Sequence, residues 1–143
     1  MCVMKRTFSD ILPLLIWAVI DAICIAVNFN CFVFGSSYDM PWINLSVSAL
    51  FIAFMLVLAC KADTRFISIL SCLYIVFGII GIFVSKYGLL ADWMIIPSII
   101  LFTPFAGIGH LLKSDVLPWL FFAGFGAVML MIAYARKHRQ QGS

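Results

Sequence analysis

From Ile11 to Phe34 the chain runs for twenty-four residues, mostly Leu, Ile, Val, Ala and Phe, with one charged side chain, Asp21, at the centre. About twenty apolar residues in a helix span the hydrocarbon core of a bilayer. An acid at mid-membrane depth costs roughly 2.5–3.5 kcal/mol on insertion scales, so it faces other helices or water rather than lipid. Four more apolar runs follow, at 42–60, 66–84, 93–112 and 116–134, and a basic tail covers 135–143. The reading is an all-α, polytopic integral membrane bundle with five hydrophobic segments and one transmembrane domain over 1–143.

Composition agrees. Of the 143 residues 65% are hydrophobic and 10% charged, and the mean hydropathy is +1.17. A soluble domain keeps about a quarter of its residues charged. Lipid is therefore the main solvent, and the host is expected to be the cell membrane. All six acids are Asp, and the nine basic residues sit at segment ends. They suit topological anchoring and contact with anionic headgroups. A basic face on a folded platform, which nucleic-acid binding needs, is missing. Lys5 and Arg6 also resemble the start of a signal peptide. Asp21 interrupts the run and no small-residue cleavage site follows, so an uncleaved signal anchor is expected.

Within the first segment Trp17, Asp21, Cys24, Asn28 and Cys31 fall on one side of a helix, and Leu15, Val19, Ala26 and Phe29 elsewhere. Ser9 or Asp10 is expected to cap it, with Pro13 in its first turn. Gly35 to Pro41 signals a turn. In the second segment Asn44 and Ser48 stack four apart. Lys61 to Arg65 forms a tight charged turn. In the third, Ser71, Tyr74, Gly78 and Gly81 make a small or polar strip, the usual means of close helix packing. Ala123, Gly124 and Ala127 suggest a matching patch on the fifth.

The fourth segment contains Pro97, Pro104, Gly107 and Gly109, so a kink or unwinding is expected there. Charge bears on its path. If all five segments cross, the two sides hold five and four basic residues, almost no bias. If the fourth dips in and returns, Lys5, Arg6, Lys61, Arg65, Arg136, Lys137 and Arg139 share one side, against Lys86 and Lys113. The second arrangement obeys the positive-inside rule and places the N-terminus in the cytoplasm.

No segment carries a mid-membrane Lys or Arg, so Asp21 has no counter-ion and the neutral acid is the favoured form. Tyr74 and Thr103 lie at similar depth. Asp21, Asn28, Tyr74 and Thr103 make the candidate intramembrane polar site, either for a proton or cation or as a pin between helices. His110 reads as an interfacial or capping residue, and one membrane His gives haem no basis. The five cysteines form no C-x-x-C and no Cys/His cluster, so neither metal nor cofactor is expected. Carboxylate pairs, a nucleophile elbow and H-E-x-x-H are absent. The Phe and Trp side chains, with Trp42, Trp93 and Trp119 near segment ends, suit lipid contact and interfacial anchoring.

Two functions fit. One is a non-enzymatic accessory or interaction subunit working in the bilayer with a membrane-protein partner. The other is a homo-oligomeric ion- or proton-coupled small-solute transporter or channel using Asp21, with the broken fourth segment as its support.

Overall fold

A computed structural model describes residues 2–34, 41–87, 95–112 and 116–141. The 35–40 turn, the 88–94 link with Trp93, the turn at 113–115 and the side chains of Cys31 and His110 lie outside the described residues. Helices α1 (Cys2–Phe34), α2 (Pro41–Lys61), α3 (Thr64–Tyr87), α4 (Ile95–Phe102), α5 (Ala106–Leu112) and α6 (Leu117–Gln141) follow in order, with a 3-10 turn at Thr103–Phe105 between α4 and α5. Among the described residues, α1, α2, α3 and α6 are long and apolar enough to cross a membrane. No strand occurs among the described residues, as expected where an open sheet edge would leave backbone groups unpaired in lipid.

Helix α1 starts earlier than the sequence suggests. It begins at Cys2, so Pro13 lies in its interior rather than its first turn, and neither Ser9 nor Asp10 caps it. Pro13 has no N–H to offer the carbonyl of Ser9, and the helix continues through this loss. Asp63 caps α3 at the α2–α3 turn: its Oδ1 accepts the Arg65 N–H at 2.8 Å, a typical arrangement at a helix start.

Among the described elements, the tightest pairing is α3 on α6. A Cβ at Gly78 would stand 2.8 Å from the Ala123 nitrogen and 3.0 Å from the Trp119 oxygen, and one at Gly81 would fall on the Trp119 ring. A Cβ at Gly126 would stand 2.8 Å from the Ser71 oxygen and 3.0 Å from the Tyr74 Cβ. Small residues let backbones meet without strain, the main source of helix affinity in lipid. The α3 strip Ser71, Tyr74, Gly78 and Gly81 is buried. On α6 the expected patch is corrected. Ala123 makes the contact, but Gly126 rather than Gly124 supplies the glycine; Gly124 is exposed, and a Cβ there would meet nothing within 4 Å among the described residues.

This register runs antiparallel, Gly81 beside Trp119 and Ser71 beside Gly126. The chain therefore leaves α3 and enters α6 at one end of the bundle. The Arg136 guanidinium marks the other end, donating to the carbonyls of Ala59 at 2.9 Å and Ala62 at 2.7 Å. Trp17 meets Phe66 with ring centroids 6.4 Å apart, and Asn28 meets Ser48 at 3.1 Å. So α1 starts beside the α2–α3 turn and ends beside the start of α2. The α4–turn–α5 unit enters and leaves from the same end. Four helices are long and apolar enough to cross, and this register fits a re-entrant path for the broken segment better than a fifth crossing.

The aromatic residues also depart from expectation. Trp42 is exposed, as a headgroup anchor is, but Trp119 is half-buried against Gly81 and Phe102, the latter 4.7 Å away between centroids. Phe51, Phe102, Phe105, Phe122 and Phe125 are buried core rather than lipid contacts. Phe105, on the 3-10 turn, is their hub, with edge contacts to Phe51 at 5.1 Å, Phe122 at 5.2 Å, Phe125 at 5.4 Å and Tyr74 at 5.6 Å. Such pairs add about 0.5–1.5 kcal/mol each beyond area burial, so the turn is anchored at the centre of the bundle.

Candidate functional site

The site begins with the break. Proline removes the N–H of residue 104, and the chain tightens into a 3-10 turn in which Ala106 N–H donates to the Thr103 carbonyl. Pro104 O and Gly107 N–H are then served from other helices. The Asn28 amide donates to Pro104 O at 2.9 Å and to Ser48 Oγ at 3.1 Å. Ser48 Oγ also accepts the Gly107 N–H at 3.1 Å. Helices α1 and α2, the 3-10 turn and the start of α5 thus meet in one buried node, and Asn28 and Ser48 are fully buried.

Ser48 behaves unlike its neighbours. Ser46, Ser68 and Ser71 each donate back to the carbonyl four residues earlier, the common way a helix satisfies a hydroxyl in lipid. Ser48 Oγ instead serves two other segments. Its partner four residues back, Asn44, is also buried, and the Asn44 backbone lies where a Cβ on Gly107 would go. Asn44 and Ser48 were legible as a stacked polar pair; their tie to the break was not.

The residues singled out from the sequence separate into two groups. Pro104 and Gly107 belong to the node, Pro104 as the break and Gly107 as the point of closest approach to α2. Pro97 lies in the first turn of α4, where proline is tolerated. Gly109 is half-buried, and a Cβ there would meet nothing within 4 Å among the described residues. Thr103 is fully buried on the turn.

Asp21 stands apart from Asn28. Seven residues of helix place them about 10 Å apart, and the Asn28 amide is committed to Ser48 and Pro104. Asp21 is 4% exposed, so it is shielded from lipid. It lies within electrostatic reach of Tyr74 on α3 and of Cys24 one turn along α1. Tyr74 is fully buried with its ring on Phe105 and Phe125. Asp21 therefore lies inside the bundle, on the buried side of α1 with Cys24 and Asn28.

Several polar atoms of this region make no hydrogen bond to the described protein: Asp21 Oδ1, Tyr74 Oη, Thr103 Oγ1, Asn28 Oδ1, Asn44 Nδ2 and Trp17 Nε1. Buried polar atoms are usually paired, and each exception has a cause. Acceptors and donors both occur in the set, which suits a shared proton or a small polar guest. No group of three His, Cys, Asp or Glu able to hold a metal occurs among the described residues. No protein-family model, curated protein or solved structure matches the chain.

Proposed function

We propose that this protein is a non-enzymatic subunit of the membrane that acts through its outer surface rather than through an interior path. The carrying observation is the Asn28 amide, which is spent on Ser48 Oγ and Pro104 O. The polar stripe of α1 points inward and holds a re-entrant segment in place, which is structural work. What α1 turns outward is apolar, including Leu15, Val19 and Ile23, a face open to lipid or to a partner helix.

A second reading is favoured by the unpaired atoms of Asp21, Tyr74 and Thr103 beside a broken helix. In it the chain is an oligomeric ion- or proton-coupled transporter or channel, and Asp21 carries the charge. Intramembrane acids commonly mark such paths.

Proteoliposomes loaded with a pH-sensitive dye separate the two. Under the first reading the protein produces no proton or monovalent-cation flux that Asp21→Asn alters. A flux that the folded Asp21→Asn variant abolishes overturns the first reading and establishes the second.

A further inference from the structure

The close contact of α3 and α6 depends on Gly78, Gly81 and Gly126. Beyond Ser71, toward the basic end, a surface groove of about 800 Å³ lies between the two helices. Arg65 and Lys137 stand at its rim, and Ile69, Met131 and Tyr134 form its wall. All five are exposed. Ser68 and Ile69 also line a second hollow of about 350 Å³, which continues up α3 along Cys72, Leu73 and Val76. The two share Ser68 and Ile69 and make one track, cationic where α3 meets α6 and apolar along the outer face of α3 alone.

Its length is informative. Eleven residues of helix separate Arg65 from Val76, about 16 Å of rise, close to half the roughly 30 Å hydrocarbon core. A cationic rim above an apolar track of one leaflet's depth matches one class of molecule, an amphiphile with an anionic head and a long chain. Asp63 lies two residues before Arg65, and one of its oxygens is engaged by the Arg65 backbone N–H. Tyr134 at the same level is a typical interfacial side chain.

We propose that the α3–α6 groove binds one anionic phospholipid, with its phosphate between Arg65 and Lys137 and an acyl chain laid along Ile69, Cys72 and Val76. This proposal stands apart from the choice between accessory and transport functions, since the groove lies on the lipid face and does not include Asp21.

The test uses the full chain in phosphatidylcholine nanodiscs with trace spin-labelled phosphatidylglycerol or spin-labelled phosphatidylcholine, reading the immobilised fraction of each. Phosphatidylglycerol is expected to be preferred, by roughly fivefold for each of the two basic residues. Arg65→Gln with Lys137→Gln removes the preference, and Lys61→Gln with Lys86→Gln, an equal charge loss elsewhere, retains it. Val76→Trp, filling the track, weakens the preference with both cations in place. Inorganic phosphate at millimolar concentration does not displace the lipid.

Equal immobilisation of the two lipids by the wild-type protein overturns the proposal and needs no variant. An equal drop in both charge-loss pairs assigns the effect to general surface charge and also overturns it. Displacement by inorganic phosphate, or indifference to Val76→Trp, reduces the groove to an anion site and overturns the lipid assignment.

Discussion

The guanidinium of Arg136 donates to the carbonyl of Ala62 at 2.7 Å and reaches Ala59 as well, so the end of α6 caps the end of α2. Carbonyls in the last turn of a helix have no partner within it, and a planar guanidinium serves two at once. Arg136→Gln is expected to lower stability by about 1.5–3 kcal/mol, the range for hydrogen bonds to charged groups. Arg136→Lys should recover only part, because a single ammonium fits two carbonyls less well. Thermal unfolding in detergent measures both; an unchanged midpoint for Arg136→Gln counts against the cap.

Glycines on these helices have opposite expected tolerances. A Cβ on Gly107 would run into the Asn44 and Leu45 backbone, and one on Gly78 into the Ala123 backbone. Backbone cannot step aside as a side-chain tip can. Gly78→Ala and Gly107→Ala should each cost about 1–3 kcal/mol, as overpacking does. Gly124→Ala should be neutral or gain up to about 1 kcal/mol from helix propensity. Matched melting curves for the three variants decide, and a loss at Gly124 as large as at Gly107 contradicts the packing described.

Asn28 and Ser48 should be energetically coupled. Interhelical hydrogen bonds in membrane proteins average about 0.6 kcal/mol and reach about 1.7 kcal/mol. Asn28 makes two, so Asn28→Ala is expected to cost about 1–3 kcal/mol, and a double-mutant cycle with Ser48→Ala should show non-additivity of about 0.5 kcal/mol or more. Strict additivity means the bond contributes nothing to stability.

Both chain ends should be accessible from one side of the membrane. Lys61, Arg65, Arg136 and Lys137 lie at the α2–α3 end, where α1 also begins, and Lys86 lies at the opposite end. The charge rule then predicts that this end is the cytoplasmic one. In a background with the native cysteines replaced, cysteines at Ser9 and Ser143 should react with an impermeant maleimide only after permeabilisation, and one at Ser36 without it. Opposite sides for Ser9 and Ser143 would refute the re-entrant arrangement.

Much of this architecture was legible in the residues because hydrophobic length and polar spacing are local properties. The runs of apolar residues marked the helices long enough to cross, and the three- and four-residue spacing of Ser71, Tyr74 and Gly78 marked which side of α3 packs. What escaped depends on where a second helix lies. Gly124 and Gly126 look alike until α3 sets the phase, and the backbone of Ser71 selects Gly126. Gly107 reads as a helix breaker from composition, yet it permits contact with α2, since both roles need the same missing side chain. Arg136 looked like a tail anchor because nothing near it in sequence indicates the carbonyls of Ala59 and Ala62.

The node at Pro104 has a consequence for how the chain is made. Its carbonyl and the Gly107 amide are served by α1 and α2, and ribosomes deliver those helices first. The receptacle is therefore complete before the kinked segment emerges. A circular permutant that began at α3 would release two bare peptide groups into hydrocarbon, where nothing else can pair with them, and should stall on insertion even though every contact of the finished bundle remained encoded.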